Sequence, residues 1–122
     1  MSATETWDAM LRRLIGLTRS REAIWTKAFR HKRDDVIGFA YTTNVQGRTL
    51  MIYEYRYRHY TDEDVYQMAE DVAVELVSPD GTLEWQLPPT SSRYELLEAV
   101  RLQTSGAEEF LTNFFAPKKS DS

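Results

Sequence analysis

A chain of 122 residues that is 42% hydrophobic and 28% charged is long enough for one core and too apolar for a disordered segment. It has no cysteine, which excludes a disulfide framework and a thiolate metal site. The net charge is −4 and is unevenly spread: residues 1–60 hold 11 Lys and Arg against 6 Asp and Glu, whereas residues 61–122 hold 4 against 13.

The first predicted element is a helix. Trp7, Met10, Leu11, Leu14 and Ile15 recur at i, i+3, i+4, i+7 and i+8 and form one apolar stripe. Ser2 and Glu5 have capping-box spacing, Asp8 followed by Arg12 and Arg13 suits the helix dipole, and the pattern fades at residues 16–18. A β-rich middle follows. Residues 23–30 read as a strand with Trp25 and Phe29 on one face, 31–35 as a polar connection, and 36–43 as a strand aligning Ile37, Phe39 and Tyr41. Asn44-Val45-Gln46-Gly47 is turn material, and residues 48–59 form the third strand of a meander.

Residues 61–69 read equally as a short helix, with Thr61 and Asp64 as caps, or as a loop. Val72, Val74 and Leu76 alternate with Ala73, Glu75 and Val77, so 71–77 is a fourth strand. Ser78-Pro79-Asp80-Gly81 is a turn, and residues 82–87 form a fifth strand ended by Pro88-Pro89. Helix returns at Ser92 with Glu95 three residues on, and Tyr94, Leu97, Val100 and Arg101 follow its period. Ser105-Gly106 interrupts it, and Phe110, Leu111, Phe114 and Phe115 make a second apolar stripe, so either one helix bends or two helices meet. Pro117 opens a tail, 117–122, expected to be mobile.

Elements grouped in this way predict an α+β fold: a five-stranded antiparallel sheet with an N-terminal helix and a C-terminal helix or bent helix pair on one face, in a single domain over residues 1–116. The expected core is Trp7, Leu11, Leu14, Ile37, Phe39, Val72, Val74, Leu97, Phe110 and Phe114. The layout is similar to that of many small bacterial proteins, a likeness of pattern that carries over no site residue.

The segment Arg48 to Tyr60 sorts into two stripes, because successive side chains of a strand point to opposite faces. Met51, Tyr53, Tyr55, Tyr57 and His59 share one face; Leu50, Ile52, Glu54, Arg56 and Arg58 share the other. The simplest packing puts the tyrosines against the helices and turns Arg56 and Arg58 to solvent or to the acidic half. The opposed charges of the two halves would then neutralise across the fold; the alternative is a molecule with one basic and one acidic surface.

No Gly-rich phosphate loop, nucleophile elbow or metal-ligand spacing occurs, so no enzyme, metal or cofactor is predicted. The leading expectation is a small non-enzymatic protein-interaction domain. Its partner surface is Tyr60, Asp62, Glu63, Asp64, Tyr66, Glu70 and Asp71, with the acids selecting a basic partner and the tyrosines as anchors. A nucleic-acid-binding domain using Arg30, Lys32, Arg33, Arg56 and Arg58 beside Tyr53, Tyr55 and Tyr57 is the alternative, against which the pI near 5.2 counts. A hydrolase centred on His59 and Asp62–Asp64 is weaker still, since His31 is the only other histidine. With no signal-peptide pattern and no membrane-spanning run, a soluble cytoplasmic protein is expected.

Overall fold

A computed structural model describes residues 2–29 and 33–117. Helix α1 (Ala3–Arg19) begins at the expected cap, where the Ser2 hydroxyl accepts from the Glu5 amide at 3.1 Å. It runs past the expected fade and ends at Ser20, with Arg21 at φ 64 turning the chain away. Strands β1 (Thr26–Ala28), β2 (Val36–Val45), β3 (Arg48–Tyr60), β4 (Tyr66–Val77) and β5 (Leu83–Gln86) follow, then α2 (Ser92–Ser105) and α3 (Ala107–Phe115). The strands pair antiparallel in the order β1-β2-β3-β4-β5, giving the predicted α+β fold.

The turns account for this meander. Only Gln46 and Gly47 leave the sheet between β2 and β3, both at positive φ (50 and 78), the backbone that matches the twist of a two-residue hairpin. Between β4 and β5 the Gly81 amide donates to the Ser78 carbonyl at 2.8 Å and the Thr82 amide to Asp80 Oδ1 at 2.9 Å. Hydrogen bonds from Ser78 and Thr82 hold the Asp80 carboxyl down at about 2. The undecided stretch 61–69 is neither helix nor plain loop: it is a turn followed by the start of β4 at Tyr66.

Helices α1 and α2 cover one face of the sheet. Leu11, Leu14, Ile15, Leu96, Leu97 and Val100 pack there against Tyr41, Leu50, Ile52, Val72 and Val74. The tyrosine stripe does not lie under the helices as expected. Met51, Tyr53 and Tyr55 pack on the opposite face with Ala40, Ala73 and Val77. The aliphatic pair Leu50 and Ile52 takes the helix side instead, and Arg101 of α2 reaches Glu54 on that side at 3.1 Å.

Three expected core residues are exposed: Phe39, Phe110 and Phe114 at 42%, 67% and 69%; Trp7 and Ile37 are only half-buried. Phe39 leaves the core because β2 bulges between Ile37 and Tyr41, with Gly38 at φ 70, which breaks the alternation that would align the three. Gly106, left-handed at φ 76, ends α2, and α3 beyond it buries no residue. The buried face of α2 is Leu96, Leu97, Ala99, Val100 and Gln103, not the Tyr94/Arg101 side, and its cap position is Ser91, whose side chain makes no cap bond. Beyond Pro117 the expected mobile tail lies outside the described residues.

The two halves of the chain do lie against each other. Arg19–Glu95, Arg48–Glu84 and Arg56–Glu70 each join a first-half base to a second-half acid, at 3.2, 3.5 and 3.4 Å. All three pairs are well exposed, so each contributes at most about 1 kcal/mol. Among the described residues no helix is long and apolar enough to cross a membrane.

Candidate functional site

β3 and β4 outreach their neighbours. They pair without a break from Thr49↔Val77 to Tyr60↔Tyr66, whereas β2 accompanies β3 only to Val36↔Tyr55 and β5 meets β4 only at residues 75–77. The Arg56 amide still donates to the Asp35 carbonyl at 2.9 Å. Further out, among the described residues, the hairpin is a two-stranded ribbon paired only with itself, and every residue from 56 to 68 is exposed. An isolated two-stranded ribbon is marginally stable in water. Alternation gives it two faces: Arg56/Glu70, Arg58/Met68 and Tyr60/Tyr66 share one, Tyr57/Ala69 and His59/Gln67 the other.

The ribbon closes at its tip, where the Thr61 amide donates to the Val65 carbonyl at 2.9 Å and the Glu63 amide to Asp62 Oδ1 at 2.7 Å. Tyr60 and Tyr66 face each other with ring centroids 5.5 Å apart, and the Arg58 guanidinium lies 4.9 Å from the Tyr66 ring centre. Asp62, Glu63 and Asp64 make no ion pair among the described residues. Val65 and Met68, 56% and 55% exposed, add apolar surface to the ribbon; the sequence reading missed both. The signal for them was length, since a thirteen-residue strand must project beyond a ten-residue neighbour.

Five of the seven predicted partner residues therefore meet at the tip: Tyr60, Asp62, Glu63, Asp64 and Tyr66. Glu70 lies along the ribbon in its pair with Arg56. Asp71 stands apart at the base, accepting from Arg93 Nη1 at 2.7 Å and from the Tyr94 hydroxyl at 2.6 Å. Burial opposes its charge, but the bonds from Tyr94 and the Val72 amide and the Arg93 charge outweigh it and hold its carboxyl below the usual range. Asp71 thus pins the start of α2 to β4.

Of the predicted basic set, the three described members are each engaged locally. Arg30, Lys32 and the second histidine, His31, lie outside the described residues. Arg33 makes a bidentate pair with Asp35 at 2.8 and 2.7 Å, and Arg56 and Arg58 are engaged on the ribbon. His59 faces Gln67 across the ribbon and meets Tyr57 edge-on at 6.5 Å. Among the described residues no three of His, Cys, Asp or Glu are placed to hold a metal ion.

On the face away from the helices the sequence reading also missed a buried polar cluster. The Tyr53 hydroxyl donates to Glu75 Oε2 at 2.6 Å and accepts from Arg33 Nη1 at 2.7 Å, while the Arg33 guanidinium stacks 4.5 Å from the Tyr55 ring centre. Tyr53 and Glu75 are both buried. The sequence signal was Glu75, the one acid inside the apolar run Val72 to Val77. Burial, then the bond to Glu75 and its charge, pushes the Tyr53 hydroxyl up to about 12, against the opposing charge of Arg33.

An unfolded tyrosine ionises near 10, so the folded chain keeps this proton where the unfolded chain releases it. The stabilisation is full below about pH 10 and is lost as pH rises towards about 12. Tyr53→Phe is expected to cost about 1.5–3 kcal/mol at neutral pH, the value of a bond to a charged group. Unfolding free energies of both proteins across the alkaline range check this: the gap between them should shrink, and parallel curves would show that Tyr53 does not hold its proton.

Beside this cluster, between β1 and the β4–β5 turn, is an open cleft of about 450 Å³ with Thr26, Thr42, Thr49, Met51 and Val77 in its lining. Its one acid, Asp80, is already bound within the turn. In comparisons with known proteins, no family model, no curated protein and no solved structure matched the chain.

Proposed function

We propose that this chain is a non-enzymatic protein-interaction domain that meets a basic protein partner with the tip of its β3–β4 ribbon. One observation supports this above the others: an exposed tyrosine pair and three carboxylates without an ion pair among the described residues share the end of a ribbon that is exposed at every residue from 56 to 68. Tyr60 and Tyr66 serve as the apolar anchor that sets affinity. Asp62, Glu63 and Asp64 attract the partner and raise its association rate. The same reading places the protein in the cytoplasm, where a cysteine-free chain needs no disulfide.

The test recovers a partner from the native host with the wild-type chain and measures its binding kinetics. Asp62→Lys with Asp64→Lys is expected to slow association and remove its salt dependence while leaving folding stability unchanged within about 0.5 kcal/mol. Tyr60→Ala with Tyr66→Ala should speed dissociation. An association rate indifferent to the charge reversal would sink the partner-facing role of the tip. So would saturable low-salt binding of single-stranded or duplex oligonucleotides that disappears with Arg56→Glu and Arg58→Glu, because counterion release would then identify the basic residues as the site.

A further inference from the structure

Helix α3 is the least satisfied element of the fold. It has nine residues and buries none of them. Phe110, Leu111, Phe114 and Phe115 are 67%, 52%, 69% and 78% exposed, and Phe114 stacks on Phe110 with centroids 6.3 Å apart. Helices this short are marginal in water without tertiary burial, because nucleation costs more than a few hydrogen bonds return. An amphipathic helix with its apolar side in solvent is stabilised by whatever covers that side.

We propose that α3 is the self-association surface of this protein, and that a second copy of the chain covers it, α3 against α3, antiparallel about a two-fold axis. Two properties favour a second copy. The first is area. A phenylalanine side chain offers roughly 150–250 Å², so the three exposed rings and Leu111 present on the order of 500 Å². Two such stripes face to face remove on the order of 1,000 Å², the lower bound for a specific interface. A stripe meeting its own copy about a two-fold is self-complementary by symmetry.

The second property is charge. Glu108 and Glu109 open α3, and its last turn carries no base. Two copies side by side in the same direction crowd four acids together, whereas two in opposite directions keep the acid pairs at opposite ends and set the helix dipoles favourably. This inference does not depend on the ribbon tip, which lies on a different part of the chain.

Light scattering behind size-exclusion chromatography of the full chain, over rising concentration, tests the proposal. The wild type should shift from monomer to dimer mass. Phe110→Glu with Phe114→Glu should weaken the dimer at least ~100-fold. Because neither ring is buried in the monomer, the circular dichroism and melting temperature of the diluted variant should match the wild type.

The direction of pairing has its own readout. A parallel pair would crowd the four acids of the two first turns together, so Glu108→Gln with Glu109→Gln would tighten it; in the antiparallel pair these acids lie at opposite ends, and the variant should dimerise no more tightly than the wild type. A wild type that stays monomeric at every concentration, including one that instead sediments with anionic lipid vesicles, would overturn the second copy as the occupant. A dimer that survives the double phenylalanine variant would overturn α3 as the surface, and a dimer clearly tightened by Glu108→Gln with Glu109→Gln would overturn the antiparallel arrangement.

Discussion

Gln103→Ala is expected to cost about 2–5 kcal/mol, from the two or three buried backbone groups it would strand together with the space it would leave. The Gln103 carboxamide ties three parts of the chain together. Its Nε2 donates to the Thr18 carbonyl at the end of α1 and to the Ala23 carbonyl, both at 2.9 Å, and its Oε1 accepts from the Trp25 amide at 2.8 Å. The Thr18 hydroxyl extends the strap, accepting from Trp25 Nε1 at 2.9 Å and donating to the Leu14 carbonyl at 2.8 Å.

A second variant separates the hydrogen bonds from the shape. Gln103→Glu keeps the volume but turns an acceptor towards two carbonyls. The ionised form is disfavoured, so the folded-state pKa of the new carboxyl is raised. Its stability should therefore approach the wild type at low pH, where the protonated carboxyl donates again, and fall as pH rises through the raised pKa. Chemical denaturation across pH measures this. A Gln103→Glu protein as stable as the wild type at neutral pH would show that the strap does not hold the α1–β1 connection.

Leu14→Ala should cost about 2–5 kcal/mol, whereas Phe110→Ala in dilute monomer should stay within about 0.5 kcal/mol of the wild type. The two residues look alike in the sequence: each sits in an apolar stripe at helical spacing. In the fold, Leu14 is 2% exposed between α2 and the sheet, and Phe110 is 67% exposed on α3. Removing the Leu14 methyl groups leaves a cavity among Leu11, Leu97 and their neighbours, while removing the Phe110 ring leaves only solvent. Denaturant midpoints with unchanged m-values give both numbers. A large loss for Phe110→Ala in the monomer would mean that α3 packs on its own chain.

The local signals were the most legible. The Ser2 cap, the Leu11/Leu14/Ile15 stripe and the Ser78–Gly81 turn depend on neighbours within a few residues, and the structure shows each of them; the turn expected over Asn44 to Gly47 is there too, narrowed to Gln46-Gly47 because Asn44 and Val45 belong to β2. The boundaries of β4 were less legible. Residues 66–70 alternate without an apolar face to mark them, and their extended form comes from the register with β3. The candidate site divided the same way: the tip residues are close in sequence and come together, while Asp71 is claimed by Arg93 and Tyr94, more than twenty residues on.

By itself the sequence determined the order of the main elements, the antiparallel meander and the stripes of α1 and β3, because these follow from backbone periodicity and turn chemistry; it did not foresee the bulge that breaks the Ile37/Phe39/Tyr41 stripe of β2. It did not determine which side of each stripe would find cover. The Met51/Tyr53/Tyr55 face of β3 and the Phe110/Phe114 face of α3 are both amphipathic, yet the helices pack on Leu50 and Ile52 and leave α3 uncovered. That choice belongs to tertiary structure. A periodic stripe states that burial is favourable and is silent about the partner, which only the bulge at Gly38, the left-handed Gly106 and the packing of α1 on α2 decide.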